Sequence, residues 1–203
     1  MRMLGPYSPE VAATVAGRPG LMATERRSLL DHVLQVLDVH HVPCALIGAA
    51  ALAVHGVSRS TLDIDLLVTD RRVLDQPFWA PLPTFVECDI RQGDSADPLA
   101  GVVRFKADRE RDVDIVVGRG TWDAAIIARA EPTRMLGRSM PTARIEDVIL
   151  LKLYAGGSQD RWDIEQLLAR PDRETVVAAV DRGVAVLPSE ARQLWTTLRI
   201  TQT

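Results

Sequence analysis

TLDIDLLV, residues 61–68, sets two aspartates one residue apart within a run of apolar side chains. Such a run reads as a strand, where side chains at i and i+2 share a face, about 6.5–7 Å apart at Cα. Asp63 and Asp65 then point one way, and Leu62, Ile64 and Leu66 point toward a core. Like charges side by side repel, and burying even one is costly unless something compensates it. A wet edge strand would leave the pair to solvent. A divalent cation would neutralise it, since Mg²⁺ favours carboxylate and phosphate oxygens. The strand by itself leaves both readings open.

Its neighbours narrow the choice. Upstream, CALIGAAALAVHG (44–56) reads as a short buried strand, a glycine turn and a small-residue helix stopped by Gly56. That helix start offers backbone N–H groups to a phosphate, although small residues also serve close packing against a sheet. Downstream, RDVDIVVG (111–118) repeats the pattern, with Asp112 and Asp114 on one face of a second strand. Asp114 makes a third carboxylate, the number two metal ions would share. Asp112 is expected to pair with Arg104 or Arg111. Arg59 and Thr61 directly precede the paired aspartates, Arg59 suited to a phosphate and Thr61 to a bond within the turn.

The chain has 203 residues, 47% hydrophobic and 25% charged, with a net charge of −3. This is an ordinary globular composition with no global pull toward nucleic acid. Lys106 and Lys152 are its only lysines. Cys44 and Cys88 lack metal-ligand spacing and read as buried thiols of a reducing cytoplasm. No stretch approaches the ~20 apolar residues of a membrane span, so no membrane partner is expected.

The pattern predicts an α/β (α+β) fold: a mixed sheet of about five strands flanked by helices, with a helical C-terminal third. Residues 1–23 read as a loosely ordered N-terminal arm, 24–140 as the core and 141–203 as the helical region. Thr24 is the expected N-cap of the first helix. A Pro-rich loop or short helix spans 70–83. TFVECDI (84–90) and GVVRFKA (101–107) read as strands, and RMLGRSM (134–140) as one short strand. Two helices meet at Gly156–Gly157 and two more follow. Trp122, Trp162 and Trp195 are expected in packing, His55 at a helix end, and His40 and His41 at a helix C-terminus where they complement the dipole.

The run IGAAALAVHGVSRSTLDIDLLV (47–68) resembles the signature of the nucleotidyltransferase superfamily, which has the DNA polymerase β-like fold. In finer detail, G-x-x-A-x-x-x-H-G-x-x-R-x-T-x-D-x-D is similar to minimal nucleotidyltransferases related to the AbiE-type toxins (AbiEii-like) of toxin–antitoxin systems. K-L-Y-A-G-G-S-Q-D-R-W-D (152–163) resembles that group's helical motif. The likeness spans about residues 44–170. It implies that Gly48 and Ala49 meet the triphosphate of an NTP and that Asp63, Asp65 and Asp114 bind two Mg²⁺. It further places Lys152 near the nucleotide, and Asp160 and Asp163 on a helix lining the cleft. Ala49 stands where the signature has Gly or Ser, and Gln159 where Arg is expected.

The implied activity is metal-dependent transfer of NMP from NTP to a hydroxyl. Acceptors open to the fold are a tRNA 3′ end, a protein hydroxyl or a small molecule such as an antibiotic. The toxin likeness favours the first two, with a cognate antitoxin as partner. The alternative is a catalytically weak relative serving as a binding or antitoxin-like partner, which the Ala49 and Gln159 departures would suit.

Overall fold

The computed structural model describes residues 27–59, 63–135 and 137–200. The expected arm, Thr24 and Thr61 lie outside the described residues.

Helix α1 (Leu29–Val39) turns Leu29, Leu30, Val33, Val36 and Leu37 to the core. Its N-cap is Ser28, in a capping box with Asp31, so the helix starts later than expected. The apolar stripe begins only at Leu29, and Ser28 and Asp31 satisfy the free N–H groups of the first turn.

Strand β1 (Ala45–Ile47) passes directly into helix α2 (Gly48–Val54), and strand β2 (Ile64–Val68) carries Asp65. Two short 3₁₀ turns, Arg71–Leu74 and Gln76–Trp79, fill the Pro-rich segment. Strands β3 (Glu87–Gln92), β4 (Gly101–Lys106) and β5 (Val113–Val117) follow, then helix α3 (Thr121–Ala128).

RMLGRSM is not one strand but the turn of a hairpin, with Gly137 at φ +79° between β6 (Glu131–Met135) and β7 (Arg138–Thr142). Strand β6 escaped the sequence reading because EPTRM is polar and contains a proline. Pro132 is tolerated because β6 is an edge strand, paired only to β7. Helices α4 (Ile145–Ala155), α5 (Ser158–Leu168), α6 (Arg173–Gly183) and α7 (Ser189–Leu198) complete the chain.

The sheet is mixed, in the order β3-β4-β5-β2-β1-β7-β6. Its seven strands exceed the five expected, while the flanking helices and the helical C-terminal third are as expected. Strand β2 runs parallel to β5 and antiparallel to β1. One face carries Ile64, Leu66, Val103, Phe105, Val113 and Ile115, all buried. Helix α4 packs on α5, α6 and α7 and touches α2. On the opposite face, Glu87, Asp89, Arg91, Arg104 and Lys106 are exposed toward the β3 edge. The aspartates sit on that second face.

Trp195 is fully buried and Trp122 packs edge-on against Tyr154 at 5.3 Å, but Trp162 is 44% exposed, contrary to expectation. It lies off the buried stripe of α5, which runs through Asp163, Ile164, Leu167 and Leu168. His55 Nε2 lies 2.9 Å from the Ala143 carbonyl oxygen, a helix-end contact as expected. His40 caps the C-terminus of α1 and stacks on Phe78 with ring centroids 4.2 Å apart. Cys44 and Cys88 are half-buried rather than buried, and burial pushes both thiols up to about 11, so they stay protonated at neutral pH. Among the described residues, no helix is long and apolar enough to cross a membrane.

Removing the Ser28 cap exposes the first-turn N–H groups of α1. Ser28→Ala is expected to lower unfolding free energy by about 1 kcal/mol, read from urea melts.

Candidate active site

Parallel pairing of β2 with β5 puts Asp65 directly beside Asp114. Asp63 lies just before β2 and is exposed. Asp65 and Asp114 are thus brought together, and Asp63 is close enough for its charge to act on Asp65. Burial pushes Asp65 up to about 6, with further upward push from the charges of Asp114 and Asp63. An N–H donated by Ala49 and the charge of Lys152 oppose that rise.

Gly48 is the reason this crowding is sterically possible. It sits at φ +62°, and a Cβ there would lie 1.9 Å from Asp65 Oδ2. Ile47 pairs with Asp65 across the β1–β2 ladder, so the chain turning out of β1 passes directly over the carboxylate. Glycine is needed twice, for the left-handed backbone and for the close approach. The Ala49 N–H is given to Asp65, so the turn out of β1 takes part in seating that carboxylate.

A second layer lies on α4 and α5. Asp163 is fully buried and accepts hydrogen bonds from Arg59 Nη1 at 3.0 Å and Gln159 Nε2 at 3.4 Å. Lys152 Nζ stands 2.6 Å from Asp163 Oδ2 and 2.8 Å from Asp160 Oδ1. Asp160 also accepts the Gly157 N–H at 3.1 Å, closing the first turn of α5. Asp163, buried on α5, holds Arg59 and Lys152. Gln159 keeps a bond to Asp163 at the position where an arginine was expected. Thus Arg59, Lys152, Asp160 and Asp163 form one network, joined to the aspartates through Lys152.

The expected pairing of Asp112 is also corrected. Arg104 does not reach it; Lys106 does, at 3.6 Å. Arg104 lies opposite Asp114 in the β4–β5 register and grips both its oxygens. Nε donates to Oδ1 at 2.9 Å and to Oδ2 at 3.2 Å, and Nη2 to Oδ2 at 2.6 Å. Sequence reasoning missed this contact because strand register decides it. The signal that was available is the single arginine in GVVRFKA on a strand predicted next to RDVDIVVG.

This contact bears on the metal. Among the described residues, no group of three or more His, Cys, Asp or Glu stands ready to hold a metal ion. Asp63 and Asp65 offer carboxylate oxygens whose mutual repulsion a hard cation would relieve. Asp114 is engaged by a guanidinium. Asp63 and Asp65 thus remain as candidate ligands for the expected Mg²⁺.

A cavity of about 390 Å³ adjoins Arg104, bounded by Asp89, Arg91, Asp97, Leu99 and Val102. The β3–β4 loop that walls it is pinned by Arg119, whose Nε donates to the Leu99 carbonyl at 2.8 Å and whose Nη2 donates to that of Gly93 at 3.1 Å.

No protein-family model and no curated protein matches this sequence. Among solved structures, the chain is similar to ANT(2")-Ia in complex with adenylyl-2"-tobramycin, at 17% identity over 84% of this chain and 95% of that one, with a TM-score of 0.43. It is similar also to an antigenic nucleotidyltransferase-like protein from Paracoccidioides brasiliensis, at 18% identity over 79% and 89% of the two chains, TM-score 0.45. A third is the lincosamide antibiotic adenylyltransferase LnuA, lincomycin-bound, at 15% identity over 69% and 94%, TM-score 0.43.

Two measurements check this geometry. Asp65 ionises near 6 when folded and near 3.8 in its unperturbed state. Between about pH 4 and 6 the folded chain therefore holds the extra proton, so this group's contribution to stability falls as pH rises and is lost above 6. Asp65→Asn is expected to remove that fall and to be more stable than wild type at pH 8 by about 1–2 kcal/mol in urea melts. Gly48→Ala is expected to cost more than ~1 kcal/mol, and Asp65→Gly in the same chain to recover part of it by removing the colliding carboxylate.

Proposed function

We propose that this protein is a nucleotidyltransferase that moves NMP from an NTP to a hydroxyl acceptor. The observation that carries the reading is the placement of Asp65 beside Asp114 on adjoining strands, with Gly48 seated against Asp65 and Lys152 acting on its charge. A structural sheet gains nothing from such crowding, which raises the energy of the ionised site. The motif around these residues supplies the class of reaction.

Lys152 and Arg59 carry the positive charge that a triphosphate needs, and Asp163 orients both by accepting from each. Asp63 and Asp65 are the residues that would hold a divalent ion such as Mg²⁺, which when bound supplies Lewis acidity at the phosphate. In the transfer, the acceptor oxygen bonds to the α-phosphorus and the bond from that phosphorus to the bridging oxygen breaks. Pyrophosphate leaves with that bond's electrons. The hydroxyl proton passes to a carboxylate or to water, and Asp114 can take it through the lone pairs that Arg104 leaves free.

For the acceptor, we favour a tRNA 3′ end or a protein hydroxyl, with the protein acting as the toxin of a toxin–antitoxin pair. That preference rests on the resemblance of residues 47–68 and 152–163 to the AbiE-type group. Small-molecule hydroxyls are the competing class. A second reading, a weakly active relative serving as a binding or antitoxin-like partner, is favoured by two contacts. The Ala49 N–H is already engaged, and Asp114 is already gripped.

The deciding experiment offers each α-³²P-labelled NTP with Mg²⁺ to the protein and total tRNA, cell protein, or a panel of aminoglycosides and lincosamides. Label is expected in one acceptor class and lost at least roughly a hundredfold with Asp65→Ala. Equal labelling by both proteins, or none by either, would overturn the enzyme reading.

A further inference from the structure

The cross-strand row that contains the site alternates in charge beyond the aspartates. Reading across the sheet, Asp65 on β2 faces Asp114 on β5, Asp114 faces Arg104 on β4, and Arg104 faces Asp89 on β3. Arg104 thus stands between two carboxylates on one rung. It grips Asp114 with three short contacts, yet its side chain is 47% exposed and borders the cavity that Asp89 and Asp97 also line. Among the described residues, Asp89 pairs with Arg91, at 3.1 Å, in an exposed pair.

We propose that Arg104 is a resident cation of the active site that competes with a divalent ion for Asp114. With Arg104 in place, the centre takes one ion, at Asp63 and Asp65. A second ion binds only after the guanidinium swings from Asp114 into the cavity, where Asp89 and Asp97 receive it. The three carboxylates and Arg104 together carry a charge of −2, which one divalent ion balances; without Arg104, that ion leaves a charge of −1 for another to meet. A guanidinium suits this post because its planar fork satisfies both carboxylate oxygens and stays protonated at any working pH. A long side chain with one end in solvent also leaves at modest cost.

The inference rests on the proposed function only in taking a divalent cation as the site's ion. Its test is to titrate Mn²⁺ into the full chain and count free ion by electron paramagnetic resonance. Wild type is expected to bind one ion, with a second at least about tenfold weaker than in Arg104→Met, where it is no longer opposed. Arg104→Lys, which lacks the fork, is expected to fall between them. Asp114→Asn is expected to bind one ion whether or not Arg104→Met is added. Circular dichroism checks that each variant is folded. Two ions of equal affinity in wild type, or matching isotherms for wild type and a folded Arg104→Met, would overturn the competition while leaving a metal site standing. No Mn²⁺ bound by any variant would overturn it together with the metal requirement of the proposed function.

Discussion

Two carboxylates side by side on parallel strands set the terms for everything near them. The register that pairs Asp65 with Asp114 is fixed by the apolar face of the same strands. Ile64, Leu66, Val113 and Ile115 must enter the core together, and the alternate residues follow to the other side. Hydrophobic burial thus drives the aspartates into contact, and the repulsion it creates has to be met locally. The protein meets it with an N–H from the turn above, an ammonium from α4 and a guanidinium from β4.

These three compensations come from distant parts of the chain. Gly48 lets the backbone descend onto Asp65, so a helix that would otherwise only pack against the sheet becomes part of the charge balance. Lys152 reaches the site because α4 leans on α2, and it is held there by Asp163 from α5. Arg104 arrives by strand pairing alone. The site's electrostatics are therefore a property of the whole α/β assembly, not of the aspartate strand that first draws the eye.

Sequence patterns made much of this legible. The alternation in TLDIDLLV and RDVDIVVG identified the carboxylates, and the Gly-Ala run before them identified the turn. Both signals are local, with periods of two residues or a single helical turn. What stayed hidden depends on pairing across the sheet. Arg104 could be matched to Asp112 or Asp114 only once register was known. The inward turn of Asp163 and the exposure of Trp162 both depend on how α5 docks. The edge strand EPTRM was missed because it has no apolar face to announce it. Ser28 displaced Thr24 as N-cap for a local reason: the buried stripe starts at Leu29.

Asp163 has an implication for how the molecule can be divided. It is fully buried on α5, and it simultaneously braces Arg59, in the segment after α2, and Lys152 on α4. The sheet with its aspartates and the C-terminal helices therefore share one electrostatic keystone. A fragment ending after β7 would keep all three carboxylates and lose Lys152 together with Asp163, which braces Arg59. The smallest piece of this chain able to assemble the candidate site extends at least through α5, so that site and the sheet are not the same object.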